Sequence, residues 1–162
     1  MGAAAGMAAA AVEASASMAA DETAALKMLD AFAAAWNRHD VDGLMACMAD
    51  DCVFEAAAGP DVAGTRHVGR AAVRRAYAAV FDTYKDGRWN NPRHFVAGTR
   101  AVSEWTFTGT TKDGQRVEVN GCDVFTLRGT TIVVKNSYRK QRAWRPPRWR
   151  RTRHWPPTRP PH

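Results

Sequence analysis

The chain has 162 residues, 46% of them apolar, which suffices for one domain with a sizeable core. Its formal charge of +7 is confined to one end: nine Lys or Arg and no acid lie from Arg139 to His162, leaving 14 basic against 16 acidic side chains in residues 1–138. The high pI is therefore no sign of a nucleic-acid-binding body, three cysteines without a C-x-x-C pair argue against a disulfide framework or thiolate zinc site, and no apolar run is long enough to span a membrane.

Residues 1–20 are alanine-rich and hold no Lys or Arg, unlike a secretory or organellar signal, and are expected to be a disordered leader, or translation from a start upstream of a true start at Met18, on a cytoplasmic protein with reduced Cys47, Cys52 and Cys122. Asp21 is a plausible helix N-cap, followed by Leu26, Leu29, Phe32, Ala33 and Trp36 at helical spacing up to Asn37-Arg38-His39. Asp40 caps a predicted short second helix with Leu44, Met45 and Met48 apolar, stopped by Ala49-Asp50-Asp51. Cys52 to Glu55 reads as a short strand, residues 58–69 as a Gly- and Pro-containing loop, and Val73, Tyr77, Val80, Phe81 and Tyr84 as the stripe of a third helix. Strands are predicted over 93–97 and 101–108. The Lys112-Asp113-Gly114 turn then leads to a long strand through Asp123, a turn at Gly129 and a last strand over 132–138. Helices followed by an antiparallel meander make an α+β domain over residues 21–142.

Residues 143–162 hold six of the eight prolines and three tryptophans interleaved with arginine, a disordered composition. Arg with Trp is suited to single-stranded nucleic acid through phosphate contacts and stacking, so any such binding is expected from this tail alone, and a tail without function explains it as well.

In Val117-Glu118-Val119-Asn120-Gly121-Cys122-Asp123-Val124-Phe125-Thr126-Leu127 the odd positions read Val, Val, Gly, Asp, Phe, Leu, so alternation points the Asp123 carboxyl toward the core. A carboxyl in apolar surroundings must find partners or stay protonated, and such groups gather at functional sites. His39 and His67 fall in predicted loops and are expected to be solvated. His94 follows Pro92 with Arg88, Asn90 and Arg93 nearby, either an anion-binding group or a polar rim. No spacing suggests a metal, and no cofactor is expected.

Five segments carry a family resemblance: Ala35 to Met45, Ala49 to Glu55, Gly69-Arg70 opening a helix, Ser103 to Thr110, and Gly121 to Leu127. Together, over roughly 22–142, they resemble the SnoaL-like branch of the ketosteroid isomerase and nuclear transport factor 2 superfamily. The resemblance implies a cone: a curved, mostly antiparallel sheet with three N-terminal-half helices on its concave face. It also implies a largely apolar pocket between them and homodimers through the outer sheet face. Members include isomerases, cyclases, dehydratases, hydrolases and non-catalytic binding modules, so fold alone does not settle function.

The resemblance carries over residue by residue only in part. The steroid isomerases' base position falls on Ala56, just after Glu55; their oxyanion tyrosine corresponds to Phe32; their second oxyanion donor, a neutral aspartic acid, corresponds to Asp123. That argues against steroid isomerisation by the same mechanism. Polyketide cyclases of the family resemble this chain in a late acid/base aspartate, while epoxide hydrolases have an Arg where Gly121 stands. The expected chemistry is an isomerase, cyclase or lyase in which Asp123 moves a proton next to a carbonyl of an apolar substrate. Phe32, Trp36 and Trp105 would form the apolar wall, and Glu55, Asn136 and Tyr138 would contact substrate. The alternative is a non-catalytic ligand-binding or dimerisation module.

Overall fold

A computed structural model describes residues 2–141, with side chains from Glu13 onward; the tail 143–162 lies outside the described residues. Three helices, α1 (Gly2–Arg38), α2 (Val41–Ala46) and α3 (Arg70–Thr83), cover a sheet of six strands: β1 (Met48–Glu55), β2 (Arg66–Val68), β3 (Arg88–Ala97), β4 (Arg100–Thr110), β5 (Arg116–Arg128) and β6 (Thr131–Arg139). The strand order is β2-β1-β6-β5-β4-β3, all antiparallel neighbours except β1 and β6, which run parallel. This unclosed, mostly antiparallel α+β arrangement is the cone expected from the sequence.

The core forms where the helical stripes meet the sheet's inner face. Leu29, Phe32 and Trp36 of α1 pack with Val73, Tyr77 and Phe81 of α3 against Phe54, Phe125, Leu127 and Ile132, all buried. Strand β5 alternates as predicted, Asp123, Phe125 and Leu127 being buried and the residues between them half-buried. Aromatic edges interlock at the centre, with Trp36 at 4.9 Å from Tyr77, 5.2 Å from Phe81 and 4.6 Å from Trp89 between ring centroids.

Four local readings differ from the sequence-based ones. Helix α1 begins at Gly2, inside the segment expected to be a disordered leader, because alanine is the strongest helix former and needs no tertiary contact to extend a helix already anchored from Ala25 onward. Met48 opens β1 rather than closing α2: the Ile132 N–H donates to Cys47 O at 2.8 Å, and the Arg70 guanidinium donates to Met45 O at 3.0 Å and Met48 O at 2.6 Å, drawing the chain into the sheet. The loop over 58–69 contains β2, paired to β1 through Val53 and Val68. Strand β3 starts at Arg88, interrupted by an irregularity between Asn90 and Arg93 where Asn91 sits at φ 53°. The predicted Asp40 cap is present, its side chain accepting from the Gly43 N–H at 2.8 Å. Among the described residues no helix is long and apolar enough to cross a membrane.

Candidate functional site

Strand register sets a polar row across the inner face. His94 pairs with Ser103, Ser103 with Asp123, and Asp123 with Ser137, so four strands each bring one polar side chain to one level of an otherwise apolar surface. Asp123 is 5% exposed and has three hydrogen-bond donors around its carboxylate. Lys135 Nζ at 2.7 Å and Ser137 Oγ at 2.5 Å both bond Oδ1, while the Trp105 indole N–H donates to Oδ2 at 3.0 Å. Lys135, 4% exposed, also donates to Ser137 Oγ at 2.6 Å, and its ammonium faces the rings of Phe54 at 4.8 Å and Trp36 at 5.5 Å. The buried cation is thus held by one carboxylate, one hydroxyl and two aromatic faces.

At the other end of the row, His94 Nδ1 and Ser103 Oγ share a 2.6 Å hydrogen bond, and Nε2 lies 3.4 Å from Asp30 Oδ1 of α1. Burial lowers the His94 pKa, with Asp30 pulling partly the other way, so the imidazole is neutral at physiological pH. His94 Nε2 and Trp36 Nε1 are buried without a hydrogen-bond partner among the described residues.

Two cavities adjoin this row. A small one of about 20 Å³, room for roughly one water, lies under α1 between Phe32, Trp36, His94, Ser103, Trp105 and Asp123. An open cleft of about 740 Å³ lies beside it, lined among others by Ala56, Trp105, Asn136, Ser137 and Tyr138. Trp105 is the shared wall. It rests on Gly121, where a Cβ would fall 2.3 Å from the indole and 2.6 Å from Tyr138 O. Glycine at 121 therefore lets the indole lie flat on β5 and reach Asp123.

The expected site residues divide accordingly. Phe32, Trp36, Trp105 and Asp123 meet at the small cavity, and Trp105, Asn136 and Tyr138 line the cleft, where Asn136 Nδ2 donates to Tyr138 Oη at 3.0 Å. Glu55 lines neither and sits 3.4 Å from Arg66 Nε. Of the neighbours of His94, Arg88 donates to Asn37 O and Asn90 to Thr108 Oγ1, leaving Arg93 on the cleft. The histidines expected to be solvated are half-buried: His39 donates to Gly87 O at 2.9 Å and stacks on Phe81 at 4.4 Å, and His67 stacks on Phe54 at 5.6 Å. Sequence reasoning missed Lys135, Ser137 and Ser103, and left His94 open between an anion-binding group and a polar rim, whereas it joins the inner polar row. The available signal was a lysine two residues before a serine in the apolar run of β6, opposite the Asp123 strand.

Among the described residues no His, Cys, Asp or Glu grouping could hold a metal ion. A search of curated proteins finds no match. Solved structures with the same fold include a candidate polyketide cyclase from Xanthomonas campestris pv. campestris, 24% identical with a TM-score of 0.65, covering 73% of this chain and 91% of its own. An NTF2-like protein of unknown function from Mesorhizobium loti is 27% identical with a TM-score of 0.62, over 74% of this chain and 93% of its own. A hypothetical protein with a ketosteroid isomerase-like fold from Catenulispora acidiphila, in complex with trimethylamine, is 20% identical with a TM-score of 0.61, over 68% and 83%. Residues 29–134 match the family described as the SnoaL-like domain, and the chain belongs to that family.

Proposed function

We propose that the open cleft receives a small apolar molecule carrying a carbonyl group and that Asp123 transfers a proton at the adjacent carbon, an isomerase, cyclase or lyase type of chemistry. One observation carries the reading. Asp123 Oδ1 is saturated by Lys135 and Ser137, but among the described residues Oδ2 is held only by the indole of Trp105, the wall between cleft and inner cavity. Rotation of that one side chain would join the two spaces and free the carboxylate oxygen together. Lys135 would hold the carboxylate in place, and the neutral His94 on the same row offers a second proton-transfer group at a different protonation state.

The test is exchange of carbonyl-adjacent protons with D2O, followed by NMR for a panel of enolisable ketones and β-keto esters with the full chain. Exchange above the buffer rate that is lost in Asp123→Asn is the expected result; equal rates for wild type and variant, in a folded variant, overturn the reading. A second reading, ligand binding without catalysis, is favoured by the three donors that already engage Asp123 in this structure, the buried Lys135 ammonium among them. It predicts ligand-induced shifts that Asp123→Asn leaves intact and no exchange. The homodimer would use the outer sheet face, where Phe95 and Tyr138 are each 53% exposed, and light scattering would report it.

A further inference from the structure

Lys135 is a buried amine whose own chemistry the proposed function does not use. Side chains two apart on a strand share a face, and the pairing of β4, β5 and β6 therefore puts Trp105, Asp123, Lys135 and Ser137 together on the inner face of the sheet. The ammonium has three N–H donors. One meets Asp123 Oδ1 at 2.7 Å and one meets Ser137 Oγ at 2.6 Å, while among the described residues the third faces only the rings of Phe54 and Trp36. Packing gives little reason for a cation here, because exchanging a buried ion pair for well-fitted apolar side chains is commonly neutral or stabilising. The pair also has open space on two sides. Ser137 lines the cleft and Asp123 lines the inner cavity, so Nζ is one hydrogen bond away from each. A primary amine in apolar surroundings, touching a carboxylate that can take its proton, has what a lysine needs to attack a carbonyl.

We infer that Lys135 forms an iminium with an aldehyde or ketone that enters from the cleft. The inference rests on the cleft being the ligand site and adds a covalent step to the proton transfer. One ammonium proton passes to Asp123 Oδ1, and the freed lone pair of Nζ bonds the carbonyl carbon while the C=O π pair moves to oxygen, which takes that proton from Asp123. Asp123 then carries a second proton from nitrogen to the new hydroxyl, which leaves as water as the nitrogen lone pair closes the C=N bond. Overall, ammonium and carbonyl give a protonated imine and one water, and Asp123 returns as the carboxylate. The positive nitrogen draws electrons from the neighbouring carbon, and the same carboxylate stands beside it to take that carbon's proton.

The test uses the full chain with 4-phenyl-2-butanone, an apolar enolisable ketone, and cyanoborohydride, whose hydride reduces a protonated imine to a stable secondary amine. Peptide mapping by mass spectrometry should find the added mass, that of the ketone less one oxygen, on Lys135 before it appears on Lys27, Lys85, Lys112 or Lys140, all of them exposed. Lys135→Arg keeps a cation beside Asp123 and should lose the D2O exchange of the ketone as fully as Asp123→Asn does, with circular dichroism checking its fold; should it not fold, the wild-type peptide map decides alone. Label confined to the exposed lysines, with exchange still dependent on Asp123, overturns the inference and leaves the proposed proton transfer standing. Exchange that survives in Lys135→Arg overturns the link between the iminium and that transfer. Label on Lys135 without exchange upholds the inference and overturns the proton transfer; neither label on Lys135 nor exchange overturns both.

Discussion

Lys135→Met isolates the buried ion pair at the centre of the inner row. Methionine keeps the unbranched stem against Phe54 and Trp36, whose rings lie 4.8 and 5.5 Å from the ammonium, but removes the charge that meets Asp123 at 2.7 Å. Asp123 retains Ser137 and Trp105 and becomes a buried carboxylate with no counter-charge, which costs about 3–5 kcal/mol. Domains of this size have about 5–15 kcal/mol in total, so the variant should still fold at 25 °C. With a urea dependence of about 2 kcal/mol per molar, the unfolding midpoint should fall by roughly 1.5–2.5 M, read by tryptophan fluorescence and circular dichroism. Adding Asp123→Asn should recover more than half of the loss: asparagine still accepts from the Trp105 indole, offers an N–H to Ser137, and no longer needs a cation. A single-variant cost under about 1 kcal/mol, or a double variant whose loss is the sum of the two singles, would refute the coupling.

Gly121→Ala should destabilise the fold by about 1–3 kcal/mol, since the new methyl meets the Trp105 ring at 2.3 Å and Tyr138 O at 2.6 Å; thermal unfolding checks it, with altered indole fluorescence as the sign that Trp105 has moved. His94 gives a pH signature. Burial lowers its folded-state pKa below the ordinary 6.5, so its contribution is full above pH 6.5 and is lost as pH falls from there through the lower folded value. Urea unfolding at pH 7.5, 6.5 and 5.5 should lose part of its pH dependence in His94→Gln, and Asp30→Asn should lower the imidazole pKa further by NMR titration. Burial raises the thiol pKa of Cys47, Cys52 and Cys122, and Cys52 is fully buried, so disulfide reagents at pH 8 should label the native chain far more slowly than the urea-unfolded one.

Much of this protein is determined by its sequence alone. The helical stripes of α1 and α3, the Asp40 cap, the hairpin turns at Gly114 and Gly129 and the inward face of β5 all follow from periodicity and local backbone preference, which act within a few residues. Asp123 was legible as an inward carboxyl for the same reason. Its partners on β6, Lys135 and Ser137, were not, and the cause is a single irregularity. Extending the Leu127–Ile132 pairing regularly would set Asp123 opposite Asn136 and turn Lys135 and Ser137 to the wrong face; the shift between Thr126 and Leu127 places Ser137 there instead. The parallel pairing of β1 with β6, the register shift between Asn90 and Arg93, and the packing of α1 that buries His94 beside Asp30 likewise depend on segments far apart in the chain. Local patterning decides which face a side chain occupies, while only the assembled sheet and the helix across it decide what that side chain meets there.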